Sequence, residues 1–278
     1  MKTFLSALAA LALSAATATA ADLAAKTYTK APVAAPVASW TGFYIGGNVG
    51  GEWGTSNATT STVFSPVGYF ATTSVPAIGT VGLQRINGSS VTGGFTAGYN
   101  WQAANFLFGL EGDINYFGFK GSATGGAVYP CCAPTAFTVN SSASADWLAT
   151  IRGRLGILAT PSWLLYVTGG AAIADVKGNF NFSDTFATAA ESASIRDTRF
   201  GWTVGAGGEY ALGNGWSIKG EYLYVDLGRS TVTSTNLTAF APPIAFPANV
   251  FTHSVDLKSN IVRIGVNYKF GGPVVARY

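Results

Sequence analysis

WTGFYIGGNVGGEW, residues 40 to 53, sets five glycines among aromatic and polar residues, and three readings compete for it. A phosphate loop of the G-x-x-x-x-G-K-[ST] kind has its first spacing here, from Gly46 to Gly51. Glu52 then stands where a lysine is needed, and its carboxylate repels phosphate. A G-x-x-x-G helix face, Gly46 with Gly50 or Gly47 with Gly51, needs an apolar segment of about 20 residues around it. Asn48 and Glu52 interrupt that segment within one turn. A strand fits: Phe43, Ile45, Val49 and Trp53 share one parity, and Tyr44, Gly46, Asn48, Gly50 and Glu52 the other. Successive side chains of a strand point to opposite faces, so period two is its signature.

The same alternation recurs until there are eight candidates. Residues 91–101 repeat it, with Val91, Phe95, Ala97, Tyr99 and Trp101 against Thr92, Gly94, Thr96, Gly98 and Asn100. The others span 106–119, 145–158, 163–176, 199–212, 216–227 and 257–270. Each is about 10 to 14 residues, enough for a tilted strand to cross a bilayer. The connections alternate in length: long at 54–90, 120–144, 177–198 and 228–256, short at 102–105, 159–162 and 213–215. The long ones are rich in Thr, Ser, Ala, Pro and Gly without a helical period, which argues against helices and a parallel α/β fold. The pattern predicts an all-β fold, an eight-stranded antiparallel up-and-down transmembrane β-barrel. It has four long external loops, three short periplasmic turns and both termini periplasmic.

A soluble barrel alternates too, so composition must say which parity faces outward. Charged residues make up only 10% of the chain against about 25% in ordinary soluble domains. A water-facing parity would carry Lys, Glu and Gln freely, whereas this one is mainly Gly, Ala, Thr and Asn. The apolar parity ends in rings: Trp101, Phe106, Trp147, Trp163, Phe200, Tyr210, Trp216, Tyr222, Tyr224, Tyr268 and Phe270. Rings at strand ends suit the headgroup belts at the two membrane surfaces.

Inward-pointing charges are then countable. Glu52, Glu111, Asp113, Glu209 and Glu221 oppose Arg152, Arg154, Lys219, Arg263 and Lys269. Measured from the short turns, Glu111 and Asp113 stand level with Arg154 and Arg152, Glu209 is level with Lys219, and Glu221 can reach Arg263. Eight strands enclose a space barely wide enough for side chains, so these groups should meet and hold the lumen shut. The functional alternative is a narrow polar conduit for small ions.

The chain opens with Lys2, an apolar run from Phe4 to Leu13 and Ala18-Thr19-Ala20, which reads as a signal peptide over 1–20. Residues 21–39, Ala- and Pro-rich, read as a flexible periplasmic lead-in, 40–270 as the barrel and 271–278 as a C-terminal extension. Loss of the signal removes Lys2 and takes the formal charge from +3 to +2, which gives no reason to expect nucleic acid. Cys131 and Cys132 are the only cysteines; adjacent, they match no metal spacing and form a local disulfide or two loop thiols. No cofactor is expected.

The sole histidine, His253, precedes Ser254 near the outer end of the last strand, with Asp256 close by. Neighbours on a strand face opposite ways, so His253 cannot readily activate Ser254, and the reading is a surface-loop histidine without chemistry.

The residues Trp40-Thr41-Gly42-Phe43-Tyr44-Ile45-Gly46-Gly47-Asn48, the Ala21-Asp22-Leu23 start and the closing Val262-Arg263-Ile264-Gly265-Val266-Asn267-Tyr268-Lys269-Phe270 carry a likeness. The chain resembles the alphaproteobacterial outer-membrane immunogenic proteins, small barrels often labelled porin family. The resemblance implies an abundant outer-membrane surface protein and antigen inserted by the barrel assembly machinery, with a structural or envelope-integrity role and no established catalytic residues. Outer-membrane lipids and lipopolysaccharide are the expected surroundings; the external loops, rich in Ser, Thr, Ala and Gly with few charges, read as flexible solvated loops, with host or surface ligands as the alternative. Such barrels usually end at the last strand's aromatic residue, whereas here GGPVVARY follows Phe270. Two alternatives stay open: a porin for small hydrophilic solutes and a lipid-modifying enzyme.

Overall fold

The computed structural model describes residues 39–271. The signal peptide, most of the lead-in at 21–39 and nearly all of the extension at 271–278 lie outside that range. Seven strands follow in order: β1 (Gly42–Thr62), β2 (Gln84–Ala103), β3 (Phe106–Val128), β4 (Ala136–Thr160), β5 (Trp163–Asp184), β6 (Ala190–Gly213) and β7 (Trp216–Ser234). A two-residue pair, β8 (Thr238–Ala239) and β9 (Ile244–Ala245), precedes the last long strand, β10 (Phe251–Lys269). One helix, α1 (Ser74–Val81), lies between β1 and β2. The eight long strands pair antiparallel, each with the next, and β10 closes on β1. The result is a closed up-and-down barrel. Closure leaves no free edge along the paired lengths, which is what makes a sheet tolerable in lipid.

In the half near the short turns, apolar side chains face out and polar ones face in. Phe43, Ile45, Val49 and Trp53 of β1 are exposed, while Tyr44, Asn48 and Glu52 between them are buried. Toward the short turns the exterior carries Trp101, Phe106, Trp163, Tyr210, Trp216, Tyr268 and Phe270. Paired rings there lie close, Trp163 with Tyr210 at 5.0 Å and Trp216 with Tyr268 at 5.0 Å. Trp147, Phe200, Tyr222 and Tyr224 form the opposite border, joined by Trp53, Tyr116 and Trp202. Just past that border the exterior turns ionic. Lys177 pairs with Asp146 and Asp175, and Lys258 pairs with Asp226 at 3.3 Å.

The strands run well beyond that border, which corrects the expected long loops. Segments 54–90, 120–144, 177–198 and 228–256 are largely strand, and the true connections shrink to 63–83, 129–135, 185–189 and 235–250. The short turns shrink likewise, to 104–105, 161–162 and 214–215. α1 also occupies a stretch read as having no helix. In this half, termed outer here only for its distance from the short turns, polarity inverts. Phe117, Phe119, Phe137, Val139, Phe180 and Phe182 turn inward, while Ser, Thr and Asn face outward. The molecule is therefore a lipid-facing barrel continued by a water-facing one on the same strands.

Bulges near the border reset the phase of two strands. On β4, Ala145 and Leu148 both point inward because Asp146 and Trp147 bulge between them. On β7, Gly228 sits at φ 67°, where a side chain is strained, and the inward set shifts from Leu227 to Ser230. In the opening stretch Gly50 is required by crowding: a Cβ there would run into the Val262 carbonyl oxygen and the Arg263 backbone.

Candidate functional site

Among the described residues, buried charged side chains gather most densely in the lumen near the short turns. β4 sends in Arg152 and Arg154, β3 Glu111 and Asp113, β7 Lys219 and Glu221, β6 Glu209, and β10 Arg263, each on the inward parity of its strand. Arg152, fully buried, bridges three carboxylates: Glu111 at 2.5 Å, Asp113 at 2.6 Å and Glu221 at 3.0 Å. Arg263 joins Asp113 at 3.0 Å to Glu221 at 2.6 Å. Lys219 reaches Glu111 at 2.9 Å, and Arg154 pairs with Glu209. Four acids meet four bases, so the cluster is neutral as a whole. Charges taken from water are tolerable only when paired and hydrogen-bonded in this way.

Two residues placed in the cluster from sequence do not join it. Glu52 stands farther along β1, opposite Ile261, and accepts a hydrogen bond from the Ser259 hydroxyl at 2.9 Å instead. Lys269 lies at the other extreme of β10, and its ammonium donates to the carbonyls of Ser39 and Thr41. Their parity is right and their height is wrong. The partners also differ from the simplest register. Glu209 pairs with Arg154 across the lumen, whereas Lys219, beside it on the wall, turns to Glu111.

Several supporting residues escaped the sequence reading. Tyr44 donates to Glu111 at 2.7 Å, and the Arg154 guanidinium lies 3.7 Å from the centre of the Tyr166 ring. Thr150 donates to Asp113 at 2.9 Å, and Ser217 and Asn267 donate to Glu209 at 2.5 and 2.8 Å. An aromatic residue on the polar parity, as Tyr44 is, was the available signal. Wall glycines make room for these rings, since a Cβ at Gly98 would meet the Tyr44 hydroxyl and one at Gly207 the Tyr166 hydroxyl.

The ionic cluster is closed on both sides. Toward the short turns Trp40 tucks beneath it with Leu107, Leu164 and Tyr166, its indole N–H donating to the Pro161 carbonyl at 3.1 Å. On the other side a packed apolar layer spans the barrel, drawing Ala58, Ile86, Phe117, Leu148, Ala174, Ile195, Leu223 and Leu257 from the eight ring strands in turn. Higher still, Phe137, Phe182 and Phe251 pack under Phe70 and the Ile78 side chain of α1.

His253 corrects another expectation: it is buried within the outer half, not in a surface loop. Its ring stacks between Phe180 and Phe251, with Nδ1 2.9 Å from the Thr60 hydroxyl and Nε2 3.2 Å from a Glu191 carboxylate oxygen. Ser254 faces the other way, 2.6 Å from the Thr59 hydroxyl. Hydroxyl, imidazole and carboxylate are aligned as a relay, but Thr60, His253 and Glu191 are all enclosed. What the arrangement does chemically is satisfy a core histidine. Cys131 and Cys132 are joined in a disulfide in the 129–135 turn. Among the described residues no group of three or more His, Cys, Asp or Glu side chains is placed to hold a metal ion.

The family model described as outer membrane protein beta-barrel domain matches residues 5–270. The 31 kDa outer-membrane immunogenic protein of Brucella melitensis biotype 1 is 35% identical over 186 residues, 66% of this chain and 68% of that one. The 22 kDa outer membrane protein of Rhizobium leguminosarum bv. viciae is 36% identical over 129 residues, 46% of this chain and 49% of that one. Among solved structures, outer membrane protease OmpT from Escherichia coli aligns over 84% of this chain and 98% of its own, at a TM-score of 0.42 and 8% identity. A likeness at that level carries no argument about activity.

Proposed function

The chain belongs to the outer membrane β-barrel family, and on that premise we propose that it is a sealed structural barrel contributing to the integrity of the bacterial outer membrane. The observation that carries this reading is the apolar layer across the lumen, to which all eight ring strands contribute. A polar cluster alone could be threaded by water and small ions, but a close-packed apolar constriction excludes both. The ionic cluster beneath it then acts as a brace tying strands β3, β4, β6, β7 and β10 across the interior.

Purified protein inserted into planar bilayers should give no discrete conductance steps at either polarity. Regular single-channel steps from the wild type would establish the porin alternative instead. Against an enzymatic role stands the enclosure of His253, which leaves its neighbours Thr60 and Glu191 out of reach of a lipid ester.

An even number of ring strands leaves both ends of the barrel on one side, and the short turns lie there with them. Barrels of this kind keep short turns on the periplasmic side. An epitope inserted after Ala241, in the exposed tip between β8 and β9, should therefore be labelled on intact cells. Labelling only after the outer membrane is breached would reverse the assignment.

A further inference from the structure

The end of the molecule farthest from the short turns is short of charge. No Asp, Glu, Lys or Arg occurs in residues 55–84, 121–145 or 230–255, and 178–190 contain only Asp184. Asp184 is turned to internal use. Its carboxylate accepts hydrogen bonds from the Tyr69 and Tyr129 hydroxyls, at 2.5 and 3.0 Å, and from the backbone N–H groups of Ala187 and Ala189. Burial and that neighbouring carboxylate push both tyrosines well above their usual range, so they stay protonated donors.

Large apolar side chains stand outward on this frame. Val67 is 80% exposed, Phe186 55%, Ile244 53% and Phe240 44%, from three separate connections. They converge around Tyr69, whose ring lies 6.2 Å from both Phe186 and Phe240. Val67 precedes Tyr69 by two residues, and Ile244 pairs with Ala239 beside Phe240. The frame holds them there. Asn249 fixes the first connection through Tyr69 N–H and the Val63 carbonyl, and Phe240 N–H donates to the Ala187 carbonyl at 2.7 Å. Exposed apolar groups on a braced support mark a contact surface.

We propose that this tip inserts Val67, Phe186, Phe240 and Ile244 into the surface of an opposing lipid bilayer. The chemistry that favours a bilayer is the missing charge. Phe, Ile and Val enter the acyl boundary favourably, whereas each ionised group carried in with them is costly, and the tip's one carboxylate, Asp184, is half-buried and held by four internal hydrogen bonds. Nor does it offer cations to anionic headgroups; the exposed Arg196 and Arg229 lie farther down their strands, and Arg85, at the loop end of β2, pairs with Asn57, five residues short of the end of β1. Docking is therefore apolar, indifferent to lipid charge and to salt. It rests on the outward orientation given above.

The test uses the full chain in nanodiscs, mixed with phosphatidylcholine liposomes and floated on a density gradient. Discs should float with the liposomes equally at low and high salt. The combined substitution Phe186→Ser, Phe240→Ser, Ile244→Ser should cut the bound fraction about tenfold, since three apolar side chains leave the boundary. A heat-dependent gel shift shows that the variant is folded. Should it fail to fold, Ala241→Cys carrying an environment-sensitive dye on the otherwise native chain should brighten when liposomes are added. The proposal is overturned by absent flotation, by flotation the triple variant retains, by flotation that needs anionic lipid and is lost in salt, or by discs that pair without liposomes. Conductance is read without acceptor liposomes, and surface labelling of the Ala241 epitope is read on cells. A failure of the sealed-barrel or orientation reading is thus seen separately.

Discussion

Arg152→Ala should lower the unfolding free energy of the refolded barrel by about 3 to 5 kcal/mol, the usual cost of removing one partner from a buried ion cluster. Glu111, Asp113 and Glu221 would each lose their Arg152 contact, and the cavity left behind is lined by carboxylates. Arg263 and Lys219 could compensate only in part, because they already bind Asp113, Glu221 and Glu111. Urea titration in lipid vesicles, followed by tryptophan emission, measures the loss. The variant should nonetheless stay silent in planar bilayers, since the apolar layer lies beyond the cluster. Unchanged stability would show that the cluster is not a brace, and a leak would show that it, not the apolar layer, is the seal. Ile151→Ala, altering a neighbour that faces outward, should cost much less.

Phe117→Ala should cost about 3 to 5 kcal/mol by the same titration, from lost apolar burial and the cavity that remains. The comparison that gives this result meaning is Tyr116→Ala. Tyr116 is 58% exposed and Phe117 0%, so adjacent residues of one strand answer to lipid and to core. Equal costs for the two would mean that the outer half lacks a packed interior.

Much of this was legible in the residues themselves. Glu111, Asp113, Arg152 and Arg154 stand out because charge is rare in the chain and theirs falls on one parity between apolar neighbours. The belt could be read from Trp163 and Tyr210 because rings at strand ends have few other uses. What stayed hidden is the outer half. Phe117 and Phe119 share the parity of Glu111 and Asp113, so a rule that one parity is polar fails there and the strand seems to stop. At Asp146 and Gly228 the phase itself breaks, and two consistent alternations read as one interrupted run. α1, eight residues long, is too brief to show a period. Glu52 and Lys269 show a further limit: alternation gives the face of a side chain, but only the register with the neighbouring strand gives its height.

The change of polarity partway along the strands fixes the molecule's waterline. Sinking by one two-residue step would draw Asp146, Lys177, Asp226 and Lys258 toward the oil, where a cation on a barrel's lipid face costs up to about 1 kcal/mol near the interface and more with depth. Rising by the same step would lift Phe200 and Trp202 out of it. A barrel ballasted in this way keeps its level, so the cap is carried at a height above the lipid that the length of the strands sets.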